Sequence, residues 1–313
     1  MKKLVSVVMP TYNNEKYIKS AINDIVNQSY KNWELIIIND GSTDNTCQVL
    51  SEYNEIKNIH IINLVTNKGI CEALNIGLKV AKGDFILRFD ADDRCSGDRI
   101  SKLLEYMLKN DIDIVGSSVI TINENDDIIG KAVFSGNERV ISRLIRYENP
   151  ILHIWLAKRE VYDKLGGYRI GGVEDYDFIL RALDFGYKVS NISDYFGISI
   201  RKHSRNTANT QGWRQRKCFN LAWKLHKERL INGYEVTSSI PKYGRFIKCG
   251  DKIHAISNKL LVKGISSKNL PYKIAIIAVA AMISPYQLQY LSYRFIGKII
   301  KKSYENTLYY TKS

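Results

Sequence analysis

The sequence predicts an α/β fold, with a parallel, doubly wound sheet first and a basic helical region after it. Short apolar segments alternate with segments of helical periodicity over residues 4–89. Charge is uneven, because residues 201–313 contain 22 Lys and Arg against 4 Asp and Glu, whereas residues 1–200 contain 24 and 28. We therefore expect one domain over residues 1–210 and a helical region over residues 211–313, with membrane surface or nucleic acid as the anionic partner of the latter.

Four apolar segments, each followed by turn-forming residues, predict the first four strands. They cover residues 4–9, which Pro10 should end, and residues 33–38, 59–64 and 85–89. The segments between them have helical periodicity and predict helices over residues 17–26, 43–53 and 73–81. A strand–helix alternation of this kind indicates parallel pairing.

After residue 99 the alternation stops. Residues 112–123 and 128–134 flank a polar turn and predict a hairpin. Helices are expected at residues 100–108, 140–145 and 173–185, and a strand is expected at residues 195–200.

The C-terminal region begins with a basic amphipathic helix, expected over residues 213–230, and continues through a polar link at residues 234–243. Residues 274–283 are apolar, but Ser284 and Pro285 interrupt them, and a spanning helix needs roughly 20 apolar residues. The tyrosines and lysines that follow indicate a helix lying in the membrane interface. A helical pair packed on the main domain and a spanning helix are the alternatives.

An acidic cluster ends the fourth predicted strand, at Asp90, Asp92 and Asp93. Side chains two residues apart on extended backbone point the same way, so Asp90 and Asp92 can converge on one ligand at the carboxyl edge of the sheet. Hard oxygen donors of this kind suit Mg²⁺ or Mn²⁺ carrying substrate phosphates. The alternative is a solvated acidic turn.

The turns after the first two strands should lie side by side if those strands are adjacent. Tyr12 could then cover one face of a base while the Asp40 carboxylate accepts an imide N–H from its edge. Uracil and thymine offer that donor and adenine does not. The alternative for Asp40 is a plain strand-to-helix turn.

Five short motifs follow one another along residues 4–210. They are Pro10-Thr11-Tyr12-Asn13, Asp40-Gly41-Ser42-Thr43-Asp44, Asn67-Lys68-Gly69 with Asn75, Asp90-Ala91-Asp92-Asp93, and Gly166-Gly167-Tyr168 followed by Glu174-Asp175. This ordered set resembles the signature of family 2 glycosyltransferases. The resemblance implies a GT-A fold, a nucleotide-sugar donor, a divalent metal and inversion at the anomeric carbon.

The resemblance also implies roles for individual residues. Asp175 would be the catalytic base, with Glu174 beside it, and Asp90, Asp92 and His203 would bind Mn²⁺ or Mg²⁺. Asp92 is the expected direct ligand, and Asp93 would lie behind it. The acceptor would lie near His153 and Tyr168. The nucleotide would lie along Pro10, Thr11, Tyr12, Asp40, Asn67, Lys68, Asp90 and Ala91.

Three of these assignments have alternatives. Glu174 and Asp175 could simply be acids at a helix N-terminus, where the helix dipole favours them. His203 could be a solvated or phosphate-facing histidine in a basic loop, and His153 could be a core histidine between apolar neighbours.

The sequence also departs from the family pattern. Leu74 precedes Asn75 where many relatives have arginine, and residues 211–214 do not form the Q-x-x-R-W motif of processive synthases. We therefore expect a non-processive enzyme that transfers sugar from a UDP- or dTDP-sugar to a glycan or lipid-linked acceptor for bacterial surface polysaccharide. The alternatives are a nucleotidyltransferase and a non-catalytic sugar-nucleotide-binding protein.

Five cysteines without C-x-x-C spacing indicate a reducing compartment. With the basic C-terminal region, this suggests a cytoplasmic protein at the inner face of the membrane, in contact with anionic lipid. We expect no nucleic-acid partner, because the sequence contains no recognition module or base-stacking platform.

Overall fold

A computed structural model describes residues 3–203, 212–237 and 248–310 of the chain. The chain divides into two compact units, Met1–Ile141 with Pro150–His203, and Ser142–Asn149 with Ser204–Ser313. The predicted boundary near residue 210 and most of the polar link at residues 234–243 lie outside the described residues.

Strands and helices alternate through the first unit, and helices make up the second. The strands are β1 (Val5–Thr11), β2 (Trp33–Asn39), β3 (Ile59–Asn63), β4 (Phe85–Arg88), β5 (Arg94–Cys95), β6 (Ile114–Ser117), β7 (Val119–Ile122), β8 (Ile128–Ala132), β9 (Leu156–Lys158), β10 (Val189–Ile192) and β11 (Ile198–Arg201). The helices are α1 (Ile18–Val26), α2 (Thr46–Ser51), α3 (Ile70–Val80), α4 (Arg99–Asn110), α5 (Glu138–Leu144), α6 (Arg159–Leu165), α7 (Glu174–Asp184), α8 (Gly212–Asn232), α9 (Lys248–Ser266), α10 (Leu270–Ile283) and α11 (Pro285–Tyr310).

A seven-stranded sheet of order β10-β6-β9-β4-β1-β2-β3 forms the centre of the first unit. β4, β1, β2 and β3 pair in parallel, as the strand–helix alternation predicts, while β9 runs antiparallel between β4 and β6. β1 and β2 are buried along their whole length, which is typical of a sheet covered on both faces. The carboxyl ends of β4, β1 and β2 therefore lie next to one another.

A second sheet, of order β5-β11-β7-β8, carries the residues that approach the acidic cluster from the other side. β11 pairs in parallel with β7 and antiparallel with β5, which follows the cluster in the chain. This arrangement brings Arg201 and His203 back to the loop that begins at Asp90.

Some predicted strands differ in extent from those observed. β1 continues through Pro10 to Thr11, because β4 pairs with β1 only as far as Val8 and the proline then has a neighbouring strand on one side. Residues 112–123 are not one strand: β6 ends at Ser117 and β7 begins at Val119 in the other sheet. The buried hydroxyl of Ser118 donates to the Ser193 carbonyl at this break.

Helices differ from the predictions as well. α2 is shorter than predicted because residues 42–45 bond to the turn after β1 instead of entering the helix. α9 was not predicted. It forms a helical hairpin with α10, in which Ser257 Oγ donates to the Ala280 carbonyl at 2.7 Å and His254 Nδ1 lies 3.0 Å from Ser284 Oγ.

The second unit is held together by stacked cations and rings. The Arg146 guanidinium lies 4.8 Å from the ring centre of Trp223 on α8 and 5.0 Å from that of Tyr293 on α11.

The break that was predicted at Ser284 and Pro285 separates α10 from α11. Among the described residues, none of the helices is both long and apolar enough to cross a bilayer.

Candidate active site

The turns after β1 and β2 interlock at the carboxyl edge of the large sheet. Thr11 pairs with Asn39, which places the two strand ends side by side. Beyond them Asn13, in the left-handed region with φ of 56°, accepts a hydrogen bond from the Thr43 amide at 2.8 Å. The Asn13 amide in turn donates to Ser42 Oγ at 2.9 Å. The juxtaposition expected from parallel pairing is therefore present.

Asp40 closes β2 with a buried carboxylate, which is 4% exposed. Its two oxygens accept the backbone N–H groups of Lys68 and Gly69, at 2.7 and 2.9 Å. Gly41 permits this approach, because its φ is +66° and a Cβ there would lie 2.6 Å from the carbonyl carbon of Thr66. The Asp40 and Asn67-Lys68-Gly69 motifs are thus one structural feature.

The other residues predicted on the nucleotide side differ in exposure. Tyr12 is 46% exposed, so a ligand can cover its ring. Pro10 and Thr11 are buried in β1, Ala91 is buried in the acidic loop, and Asn67 and Lys68 are exposed beside Asp40. A nucleotide role for each of these residues stays a prediction.

Asp90 follows β4 and is bound on both oxygens. Its Oδ1 accepts from Arg88 Nε at 3.2 Å, and its Oδ2 lies 2.8 Å from His153 Nε2. Burial opposes the ionisation of Asp90, but Arg88 and His153 outweigh it and hold the pKa of this carboxyl well below its ordinary value. Burial likewise opposes protonation of His153, and Asp90 overcomes it and raises the pKa of the imidazole. Asp90 and His153 therefore each favour the charged form of the other.

Asp92 has a histidine partner of its own, since its Oδ2 lies 2.9 Å from His203 Nε2. The next carboxyl, Asp93, is buried and accepts the Arg201 amide at 2.9 Å. Burial, and then the charges of Asp92 and Asp90, raise the pKa of Asp93 well above its ordinary value. Arg201 also donates from Nε to the Asp92 carbonyl at 2.8 Å, which ties the acidic loop to β11.

The acidic loop offers carboxylate and imidazole donors to a divalent cation. One oxygen each of Asp90 and Asp93 and a nitrogen of His153 lie within 4.8 Å of one another. Carboxylate oxygens suit Mn²⁺ or Mg²⁺, so the carboxylates present fit the ion that the sequence predicts. This group shares Asp90 with the predicted set of Asp90, Asp92 and His203, which remains a prediction.

The acceptor-side motif lies at the start of α7. Glu174, the first residue of the helix, is buried; its Oε1 accepts from Arg88 Nη1 at 3.1 Å and its Oε2 accepts from the Gly172 amide at 3.0 Å. Burial raises the pKa of Glu174, and the charge of Arg88 opposes this shift. Asp175 is half-buried, and its Oδ1 accepts from the Tyr176 amide at 2.8 Å. Both acids lie at the N-terminus of a helix, as the structural alternative expected. A catalytic role is compatible with that position.

Asn75 and Tyr168 join the first half of the sheet to the turn before α7. Asn75 Nδ2 donates to the Tyr168 carbonyl at 2.9 Å, and the Tyr168 amide donates back to Asn75 Oδ1 at 2.9 Å. The Tyr168 ring is buried, with its hydroxyl 3.1 Å from that of Tyr162 and its ring centre 5.8 Å from the guanidinium carbon of Arg88. These contacts are internal to the protein, and an acceptor role for Tyr168 stays a prediction.

Two arginines of the site were not identified from the sequence. Arg88 joins Asp90 to Glu174, and Arg201 joins the acidic loop to β11. For Arg88 a signal was available, because a lone cation in the apolar segment Phe85-Ile86-Leu87-Arg88-Phe89 must be paired if that segment is buried. Arg201 carried no such signal, because it lies in a run of basic residues.

Comparison with known proteins is consistent with this geometry. Residues 6–166 match the model of the family described as "Glycosyl transferase family 2". An uncharacterized glycosyltransferase of Haemophilus influenzae is 41% identical over 153 residues, which cover 48% of this chain and 45% of that protein. The Escherichia coli O-antigen biosynthesis glycosyltransferase WbnJ is 33% identical over 210 residues, which cover 65% of this chain and 82% of that protein.

A solved structure shares the fold over nearly the whole length. The crystal structure of S. aureus TarS 1-349 in complex with UDP-GlcNAc superposes with a TM-score of 0.59 at 17% identity, covering 98% of this chain and 92% of TarS 1-349. The predicted GT-A fold, with its helical C-terminal region, is confirmed. The matched segment covers more than half of the chain and contains the interlocked turns and the acidic loop. This protein therefore belongs to glycosyl transferase family 2.

Proposed function

We propose that the protein transfers a sugar from a UDP- or dTDP-sugar to a hydroxyl of a glycan acceptor, in one step and with inversion at the anomeric carbon. The observation that carries this proposal is the Arg88 guanidinium, which bonds to Asp90 at 3.2 Å and to Glu174 at 3.1 Å. This link between a carboxylate expected on the donor side and one expected on the acceptor side supports a single shared site.

The interlocked turns support a pyrimidine nucleotide. The Asp40 carboxylate is fixed by two backbone amides and retains acceptor capacity, because each carboxylate oxygen can accept more than one hydrogen bond. An imide N–H of uracil or thymine is the donor that suits it, and the exposed ring of Tyr12 is available for stacking. The crystal structure of TarS with UDP-GlcNAc is consistent with a uridine nucleotide in this fold.

The acidic loop would hold the cation. Asp90 and Asp92, with His203, would be its ligands, and Asp93 and His153 lie close enough to contribute. A bound divalent cation would stabilise the negative charge that develops on the leaving diphosphate. Asp93 is buried and accepts the Arg201 amide at 2.9 Å, so it is suited to support the loop.

Asp175 is the proposed base. The acceptor hydroxyl attacks the anomeric carbon as the bond to the diphosphate breaks, and the hydroxyl proton passes to the Asp175 carboxylate. Proton transfer of this kind contributes roughly 10²–10⁴ in rate. A single carboxylate on the face opposite the leaving group gives one displacement, and hence inversion.

The acceptor is proposed to be lipid-linked, with transfer at the cytoplasmic face of the membrane for surface polysaccharide. The relative WbnJ is named for O-antigen biosynthesis. The exposed apolar side chains of α10 give physical support; they include Leu270, Ile274, Val279 and Met282. Residues 248–310 contain 10 Lys and Arg against 2 Asp and Glu, so like charges oppose docking of a second copy there. An anionic bilayer would bury the exposed apolar side chains of α10 and attract the basic residues.

The test is a panel of nucleotide sugars with Mn²⁺, incubated with wild type, Asp175→Asn and Asp184→Asn at the far end of the same helix. We expect one donor to release free nucleotide with wild type and Asp184→Asn, and to release at least ~100-fold less with Asp175→Asn or with EDTA. Release of pyrophosphate would indicate a nucleotidyltransferase. Metal-dependent UDP binding without turnover, with lipid-linked acceptors also supplied, would indicate a non-catalytic binding protein.

A further inference from the structure

The Arg88 guanidinium is the most deeply buried charge shared by the two halves of the site. Its side chain is 4% exposed, at the end of a strand that is otherwise apolar. A buried cation is stable only when its hydrogen-bonding groups are paired. Nε is paired with Asp90 and Nη1 with Glu174, and the Tyr168 ring lies 5.8 Å from the guanidinium carbon.

The two carboxylates depend on Arg88 to different extents. Asp90 has a second side-chain partner, because its Oδ2 lies 2.8 Å from His153 Nε2. Among the described residues, the other oxygen of Glu174 accepts only the backbone N–H of Gly172, which is uncharged. Removal of the guanidinium would therefore leave Asp90 paired and Glu174 buried without a cation.

We propose that Arg88 is the positioning residue that holds Glu174 against the end of β4 and thereby fixes the first turn of α7. This inference rests on the proposed function, in which the neighbouring residue Asp175 takes the acceptor proton. In this proposal Arg88 acts through Glu174 and not on the substrate. Its effect is on alignment, and a misplacement of about 1 Å at a reacting group can cost roughly 100-fold in rate.

The experiment measures kcat for the donor found above, and the Kd of UDP with Mn²⁺, for a set of full-length variants. Arg88→Met removes the charge at similar length. Arg88→Met combined with Glu174→Gln removes both charges of the pair. Arg88→Lys keeps a cation that can reach one carboxylate at a time. The control is Arg159→Met. Arg159 is the first residue of α6, and its Nε donates at 2.6 Å to the carbonyl of Gly83, just before β4.

With Arg88→Met we expect kcat to fall about 100-fold while the Kd of UDP stays within about threefold, because His153 still pairs with Asp90. We expect the double variant to regain at least about tenfold of the lost kcat, since it has no buried unpaired carboxylate. Arg88→Lys should lie between wild type and Arg88→Met, and Arg159→Met should have a kcat close to that of wild type. All values refer to folded protein, as judged by circular dichroism.

The inference is overturned if kcat of Arg88→Met stays within about threefold of wild type, or if the double variant is no faster than Arg88→Met. It is also overturned if the Kd of UDP weakens as much as kcat falls, because the donor side would then depend equally on Arg88. A folded wild type that transfers sugar from no donor overturns the proposed function itself, a result that is recognised before any Arg88 variant is compared.

Discussion

Asp40 is the residue whose environment bears most directly on the nucleotide. Both of its oxygens accept backbone N–H groups, from Lys68 and Gly69, so Asp40→Asn would turn an amide N–H toward one of these donors. Leaving one of these partly buried backbone N–H groups unpaired costs at most about 1–3 kcal/mol. We expect a loss of unfolding free energy of that size, measured by urea denaturation. We also expect at least ~10-fold weaker UDP binding, measured by calorimetry.

The control for this change is Tyr12→Leu. Tyr12 is largely outside the core, so the variant should weaken UDP binding and leave the unfolding free energy within about 0.5 kcal/mol of wild type. If Asp40→Asn kept wild-type affinity for UDP, the carboxylate would serve only to hold the Lys68-Gly69 backbone.

Site residues could be predicted where a carboxylate directly follows a predicted strand. Asp40 and Asp90 follow apolar strands and lie at the same edge of the sheet, a position that the alternation alone implies. The partner of each carboxylate could not be predicted, because His153 is 63 residues from Asp90 and Arg88 reaches 86 residues to Glu174. Tyr168 shows the same limit: its motif indicates the acceptor side, but only tertiary packing determines that its ring is buried.

At the scale of elements, the turn before α7 depends on two adjacent glycines that differ in their surroundings. Gly166 and Gly167 both have left-handed backbone, with φ of +72° and +83°. A Cβ on Gly167 would lie 2.4 Å from Asn75 Oδ1, whereas a Cβ on Gly166 would meet nothing within 4 Å. Alanine at Gly166 would therefore introduce backbone strain alone, whereas alanine at Gly167 would introduce the same strain and a steric clash.

We expect Gly166→Ala to lower the unfolding free energy by about 1–2 kcal/mol, the cost of a left-handed alanine. Gly167→Ala should cost about 1–3 kcal/mol more, because it must also displace Asn75 from the backbone of Tyr168. Urea denaturation of both variants is the measurement. Equal losses would mean that Asn75 moves aside freely and does not hold the turn.

The far side of α7 is held by a buried carboxylate, Asp177, between two arginines, which predicts a pH dependence. Asp177 is fully buried and accepts from Arg169 and Arg181. Burial opposes its ionisation, but Arg181 and Arg169 prevail and lower the pKa of Asp177 in the folded state. A carboxyl with a lowered folded pKa contributes stability above its unfolded pKa of about 3.9, and loses that contribution as the pH falls through the folded pKa.

We therefore expect Asp177→Asn to lower the unfolding free energy at pH 7 by about 3–5 kcal/mol, because the buried Arg181 and the partly exposed Arg169 lose their carboxylate partner. The difference from wild type should be the same at about pH 5 and should shrink below about pH 4. Asp184→Asn, on the last turn of the same helix, should show neither effect. A difference that is independent of pH down to about 3 would mean that Asp177 acts through shape and not through charge.

The predictions of helices and strands succeeded where the hydrophobic periodicity of a short segment determines the element. They failed where the element depends on contacts with residues that are distant in the chain. The four parallel strands followed from apolar segments alone, within two residues at each end. The break at Ser118 could not be seen in the sequence, because it is set by a hydrogen bond to Ser193, 75 residues away. The extension of β1 through Pro10 likewise depends on how far β4 pairs with β1.

At the scale of the whole molecule, charge and exposed apolar surface coincide in the same part of the chain. Residues 201–313 contain 22 Lys and Arg against 4 Asp and Glu. The 14 residues of α10 include a single charged residue, Lys273. Of the described side chains of α10, Ala280 alone is buried. An apolar helix with exposed sides, in a cationic region, is suited to the surface of an anionic bilayer.

This gives a test in the full-length protein. Ile274 and Met282, 61% and 76% exposed on α10, are changed to Asn together, and binding to vesicles of phosphatidylglycerol and phosphatidylcholine is measured by flotation. Because burying each side chain contributes up to about 1.5–3 kcal/mol, we expect affinity to fall at least ~10-fold. The control, Val65→Asn, removes a side chain that is 98% exposed in the first unit, and it should bind as wild type does.

Salt separates the two contributions to membrane binding. Screening at about 0.5 M NaCl should weaken binding of wild type and of the double variant by the same factor, because the lysines and arginines are unchanged. On vesicles of phosphatidylcholine alone the charge contribution should disappear, while the difference between wild type and the double variant should persist. Equal binding of wild type and the double variant to both kinds of vesicle would mean that α10 does not enter the bilayer. Attraction of the basic residues to anionic lipid would then be the whole of the membrane contact.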